Sequence, residues 1–188
     1  MKPFLKIFLM AVAYLAIFIL GASSGAIHPA CYAYAGAVLP LLLALVYLNT
    51  CSAIRGFGAA AVLNGFVLVL FLIAGEADTP CIIGLAVLAL LAELIRYLLG
   101  YETRKGVRWS FVPLAFSFFA YSAHWWTDTE GSLAAAVEEM RPGYDQMMIP
   151  VIDNIPALVV ALVLTVPVAL LGIRLAERAL KRQAATFR

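Results

Sequence analysis

Two histidines and the aromatic side chains around them have the types and spacing that could do chemistry in this chain. His28 lies in GAIHPACYAY and His124 in SAHWWTD, close in sequence to Tyr32, Tyr34, Tyr121, Trp125 and Trp126. A histidine can be an axial ligand of haem iron, and flat rings can line a pocket for a largely apolar ligand. Met147, Met148, Tyr144 and Cys31 add further donors that a metal could use, and Arg141 is a cation able to meet a propionate. Tyrosine and tryptophan also form a belt at any membrane interface, so a pocket and a belt are both open for these aromatics.

Other chemistries lack their motifs. The sequence contains no G-x-x-x-x-G-K-[ST] phosphate loop, no H-E-x-x-H and no C-x-x-C, and its three cysteines, Cys31, Cys51 and Cys81, are too scattered for a disulfide framework. Gly21-Ala22-Ser23-Ser24-Gly25 fits G-x-S-x-G, but a nucleophile elbow needs a strand before the serine and none is expected here. An intramembrane serine protease would pair such a serine with a histidine on another helix, for which His124 is available. Small residues at a helix end more simply permit a tight turn or close packing. No catalytic machinery is expected, nor a cofactor of the protein's own; haem enters as a transported ligand.

The elements that must position these residues are set by lipid. Of 188 residues, 64% are hydrophobic and 13% charged, far from the composition of a soluble domain. At roughly 20 apolar residues per crossing, the chain holds about six spans and short connections. Continuous apolar segments punctuated by glycine, proline and charge predict helices near 5–24, 30–53, 57–75, 79–99, 108–126 and 150–180, with an outer loop over 127–149. The expected fold is all-α, a single transmembrane domain over 1–188 built as a six-helix bundle, since the segments do not alternate as barrel strands do. MKPFLKIFLMAVAYLAIFILGASSGA has features of a signal peptide, but it is one of several similar segments and is read as the first span.

With the N-terminus inside, Lys2, Lys6, Arg55, Arg96, Arg104, Lys105, Arg108, Arg174, Arg178, Lys181, Arg182 and Arg188 fall on the cytoplasmic side, leaving Arg141 alone outside. Such segregation is the positive-inside signature and predicts that both termini are cytoplasmic. Glu76, Asp78, Asp128, Glu130, Glu138, Glu139, Asp145 and Asp153 make the outer face acidic. Within the spans, Glu93 and Arg96 are three apart and can neutralise each other, while Asn64 suits an interhelical hydrogen bond.

ALLAELIRYLLGYETRKG, EEMRPGYDQMM before the last span, and the basic close LLGIRLAERALKRQAATFR carry a resemblance over nearly the whole chain. In pattern and order they resemble the substrate-binding S components of energy-coupling factor (ECF) transporters, in the Trep_Strep or MptD-like group. The resemblance implies a bacterial cytoplasmic-membrane protein without ATPase activity, working with an ECF transmembrane coupling subunit and two cytoplasmic ATPases and toppling to release its substrate inward. It also implies an outer pocket closed by three connections, which here hold His28, Glu76 to Thr79, and Asp128 to Met148. Docking would use small residues on the first helix, where this chain offers Ala11, Ala13 and Ala16 without the strict A-x-x-x-A spacing.

The expected function is therefore capture of a small cofactor-like nutrient. Haem or another tetrapyrrole is the first substrate, with His28 and His124 on the iron and Tyr32, Tyr34, Tyr121, Trp125, Trp126, Arg141, Tyr144 and Met147 around it. The acidic outer face points instead to a cationic or neutral vitamin-like compound. A stand-alone carrier without ECF partners is the other alternative.

Overall fold

Prolines in first turns and glycines past last turns set many of the helix ends. Pro29, Pro40 and Pro80 stand in the first turns of their helices, where the missing N–H costs nothing. Gly58 and Gly75 bracket another helix at φ 119° and 78°, left-handed values that favour glycine. The computed structural model describes residues 3–186, with side chains to Lys181, so Lys2, Arg188 and the side chain of Arg182 lie outside the described residues.

Eleven α-helices follow one another without a strand among the described residues: α1 (Pro3–Ser23), α2 (Pro29–Tyr34), α3 (Pro40–Ala53), α4 (Ala59–Ala74), α5 (Thr79–Leu99), α6 (Arg104–Leu114), α7 (Ser117–Ser122), α8 (His124–Thr127), α9 (Thr129–Glu139), α10 (Tyr144–Ile152) and α11 (Ile155–Thr186). The protein is an all-α membrane bundle. Three stretches are long and apolar enough to cross a bilayer, Pro3–Ala26, Thr79–Leu99 and Ile155–Lys181. A fourth exists if Pro29–Ala37 and Pro40–Ala53, bent by 43°, form one span. The apolar α4 is shorter, at 16 residues. Leu90, Leu94, Val159 and Val163 are exposed, an apolar surface suited to lipid.

Three expected boundaries change. The helix expected over 108–126 is split into α6, α7 and α8, with Pro113 near the first break, where its ring removes a backbone donor. The expected outer connection over 127–149, where SLAAAVEEM has a short helical pattern, holds α9 and the start of α10, which runs on to Ile152. The last long helix starts at Ile155 rather than near 150, because Asn154 Oδ1 accepts from the Ala157 amide at 3.1 Å and caps it, leaving Pro150 in α10.

The bundle has a basic end and an acidic end. At the basic end, Lys6 at the start of α1 donates to Ser52 at the end of α3, 2.8 Å, and Arg108 holds Glu177 of α11 through two hydrogen bonds, 2.9 and 2.7 Å. Glu93 and Arg96, each at most 1% exposed, lie 3.9 Å apart on α5 as their spacing predicts. Their partners go beyond each other. Glu93 Oε1 accepts from the Ala60 amide in the first turn of α4, where a carboxylate complements the helix dipole. Arg96 Nη2 donates to the carbonyls of Ile54 and Tyr101, 3.1 and 3.2 Å, and its guanidinium lies 5.3 Å from the Tyr101 ring centre. One buried pair thus ties α5 to the α3–α4 and α5–α6 connections.

Midway, the Tyr14 hydroxyl donates to Asn64 Oδ1 at 3.0 Å, while Asn64 Nδ2 donates to the Leu85 carbonyl and Ser117 Oγ, 2.9 and 3.0 Å. Asn64 so binds α1, α4, α5 and α7 together, as expected for a polar group buried in a span. Gly172 lets α11 lie against α3, since a Cβ there would come within 2.8 Å of the Pro40 carbonyl.

Candidate functional site

A cavity of about 860 Å³ lies at the acidic end. Four aromatic residues make its deeper wall: Tyr32 of α2, Tyr121 of α7, Trp125 of α8 and Tyr144 of α10. They pack edge to face or tilted, with Tyr32 5.8 Å from Phe118 and 6.3 Å from Trp125, and Trp125 6.4 Å from Tyr144 between ring centres. Such arrangements match the positive edge of one ring to the negative face of another.

Small residues leave the room. The end of α1 contributes Ala22 and Ser23, the turn after it contributes Gly25, and a Cβ on Gly25 would stand 3.0 Å from the Tyr144 hydroxyl. The α4–α5 connection contributes Gly75 to Asp78. Helix α9 forms the cover: Asp128, Ser132, Ala135, Ala136 and Glu139 recur at helical spacing and place one face on the cavity. Exposed Glu76, Glu139, Met140 and Arg141 stand at the rim, whereas Tyr32, Trp125 and Tyr144 are buried.

His124 is the hub of the deeper wall. Its Nε2 lies 3.2 Å from the Tyr32 hydroxyl and its Nδ1 2.8 Å from Ser132 Oγ. Ser132 Oγ also donates to the His124 carbonyl, 3.1 Å. With the single serine proton used there, the network assigns the imidazole proton to Nδ1 and leaves Nε2 to accept from Tyr32. His124 therefore links α2, α8 and α9 as a neutral ring, and burial lowers its pKa below the ordinary histidine value, partly opposed by Asp78 and Asp128.

The structure brings together Tyr32, Tyr121, His124, Trp125, Arg141 and Tyr144 of the residues expected at the site. It leaves out four. His28 is exposed and off the cavity lining, with its Nδ1 accepting from the Ala30 amide at 3.1 Å as the cap of α2, so a histidine pair facing one haem is not formed. Tyr34 donates to the Val151 carbonyl and Trp126 to the Ile152 carbonyl, 3.2 and 3.3 Å, so both anchor the end of α10. Met147 faces Arg141, whose Nη2 is 3.8 Å from its sulfur. Among the described residues no three His, Cys, Asp or Glu side chains converge as a metal site.

The docking alanines also divide: Ala11 is buried in the core and cannot meet a partner, Ala13 is half-buried, and Ala16 is exposed. In the G-x-S-x-G segment, Ser24 donates back to the Gly21 carbonyl at 2.6 Å, and His124 engages Ser132 instead.

Sequence reasoning missed Ser132, Ala135 and Ala136 as lining residues. The period of α9 was a usable signal, because Asp128 opens that helix with its carboxylate accepting from Gly131, 3.2 Å, and fixes which face points inward. The partnership of Ser132 with His124 has no local signature, since it depends on the turn between α8 and α9.

Residues 1–185 match the family described as "Hypothetical bacterial integral membrane protein (Trep_Strep)". The chain belongs to that family. No curated protein and no solved structure matches it.

Proposed function

We propose that this member of the Trep_Strep family is the substrate-binding subunit of an ECF-type importer in the bacterial cytoplasmic membrane, with six crossings and both termini in the cytoplasm. The observation that carries the proposal is the cavity itself: about 860 Å³, walled by buried aromatics and covered by α9. Ligand sites are typically concave, largely apolar and supplied with a few fixed polar groups, as here. The segregated charges support the orientation, which places the cavity outside. The likeness of ALLAELIRYLLGYETRKG and EEMRPGYDQMM to S components supports the ECF partners.

Capture rather than catalysis suits the wall chemistry. Ser132 spends its proton on a carbonyl, and neither nitrogen of His124 is open to a reacting group. For the same reason, haem would have to displace Tyr32 to reach Nε2, and the structure favours a ligand held by rings and charge.

Affinity purification from the native host tests this function. The tagged chain is expected to bring down a transmembrane coupling subunit and two ATPases, and to release a small molecule on denaturation that Ala135→Trp protein lacks. Recovery of the molecule without partners would replace the importer subunit by a stand-alone carrier. Recovery of neither would remove the capture function. Accessibility labelling of cysteines placed at 104 and 128 is expected to reach opposite sides of the membrane, and labelling from one side would overturn the orientation.

A further inference from the structure

We infer that the ligand of the cavity is a small organic cation with an apolar body, an inference that rests on the capture function proposed above. Among the described residues four carboxylates line the cavity, from Glu76, Asp78, Asp128 and Glu139, against one cation, Arg141. They are not equivalent. Asp78 caps α5 by accepting from the Cys81 amide at 2.7 Å, and Asp128 caps α9, so both meet the positive end of a helix dipole. Glu76 and Glu139 have no hydrogen-bond or ion-pair partner among the side chains of the described residues.

Both of these carboxylates stand at helix C-terminal ends, the unfavourable place for an anion. Glu139 occupies the last turn of α9, and Glu76 follows Gly75, the cap of α4; neither last turn carries a basic residue. Two negative helix ends and two unpaired carboxylates therefore converge on one cavity from different walls. Low-dielectric walls focus such a potential, and a ligand cation would relieve it. Arg141 offsets it only in part: one cation faces these carboxylates, it makes no ion pair among the described residues, and its guanidinium lies 3.8 Å from the Met147 sulfur.

The rest of the wall selects the kind of cation. Among the described residues no three ligating side chains converge on a metal, while Tyr121, Trp125 and Tyr144 present rings that hold cationic or flat apolar groups. An ammonium, amidinium or azolium attached to a ring or short aliphatic body meets both demands.

Calorimetric titration of the purified full chain with benzyltrimethylammonium, benzyl alcohol and phenylacetate, each at millimolar concentration, tests the charge. The cation is expected to bind at least tenfold tighter than phenylacetate, to weaken as salt is raised, and to be lost in Ala135→Trp. Glu76→Gln and Glu139→Gln are each expected to weaken it by about fivefold while unfolding temperature is unchanged. Cation binding indifferent to both substitutions, or equal or tighter binding of phenylacetate or benzyl alcohol, would overturn the cation inference. If that other probe is itself lost in Ala135→Trp, the capture function stands; if no probe binds, both fail.

Discussion

The two ends of the bundle handle charge in opposite ways. At the basic end, Glu93 and Arg96 are buried to 1% exposure or less and are met by each other, by an amide and by two carbonyls. At the acidic end, Glu76 and Glu139 stay exposed on the rim of a cavity, and the buried groups beneath them are neutral rings and hydroxyls. A buried pair is useful as a fastener because breaking it leaves one charge stranded in a low dielectric. An unpaired charge over an aromatic wall fastens nothing and is free to meet a ligand. The comparison separates a part of the molecule that holds connections from a part that leaves an aromatic-walled cavity.

Breaking the fastener should have the largest effect. Arg96→Met strands the Glu93 carboxylate and is expected to cost about 3–5 kcal/mol, read by thermal unfolding in detergent. Adding Glu93→Leu should recover much of that loss, and a double variant no better than the single would show that the pair is not the cause. Asn64→Leu, between the two ends, removes three hydrogen bonds and leaves the Tyr14 hydroxyl unpaired in the core; a loss of about 2–3 kcal/mol is expected. Because α1, α4, α5 and α7 all meet there, ligand capture should weaken along with stability.

Ala135→Trp should reverse the pattern. Ala135 is exposed on the cavity face of α9, so stability is expected to change by less than about 0.5 kcal/mol while capture is abolished. The smallest effect concerns pH. His124 stays neutral in the folded protein to lower pH than an unfolded histidine does, so the unfolded chain binds the extra proton first as pH falls. Its contribution to stability is thus complete above the ordinary histidine pKa of 6.5 and declines as pH falls below it. Unfolding temperature measured from pH 8 to 5 should show this decline, and His124→Gln should flatten it.

Half of the aromatic wall could be found in one motif, because Tyr121 and Trp125 flank His124, while Tyr32 comes from the segment after His28 and Tyr144 from RPGYDQMM. The SAHWWTD motif did not distinguish Trp125, which lines the cavity, from Trp126, which anchors α10, although adjacent residues on a helix face about 100° apart. His28 was indistinguishable from His124 by type and neighbours; only the turn before Pro29 made it a cap. The break of the fifth segment near Pro113 had a local cause, while the helical cover over 127–149 was visible only as a short pattern in SLAAAVEEM.

By itself, the sequence determined the solvent and the separation of charge: long apolar runs admit only helices whose backbone groups are satisfied within the segment, and charge was sorted to opposite ends of them. Tertiary structure decided which polar groups meet. The contacts of His124 with Tyr32 and Ser132, and of Glu93 with the Ala60 amide, join residues set side by side only by how the helices pack and turn, and no period along one helix encodes them.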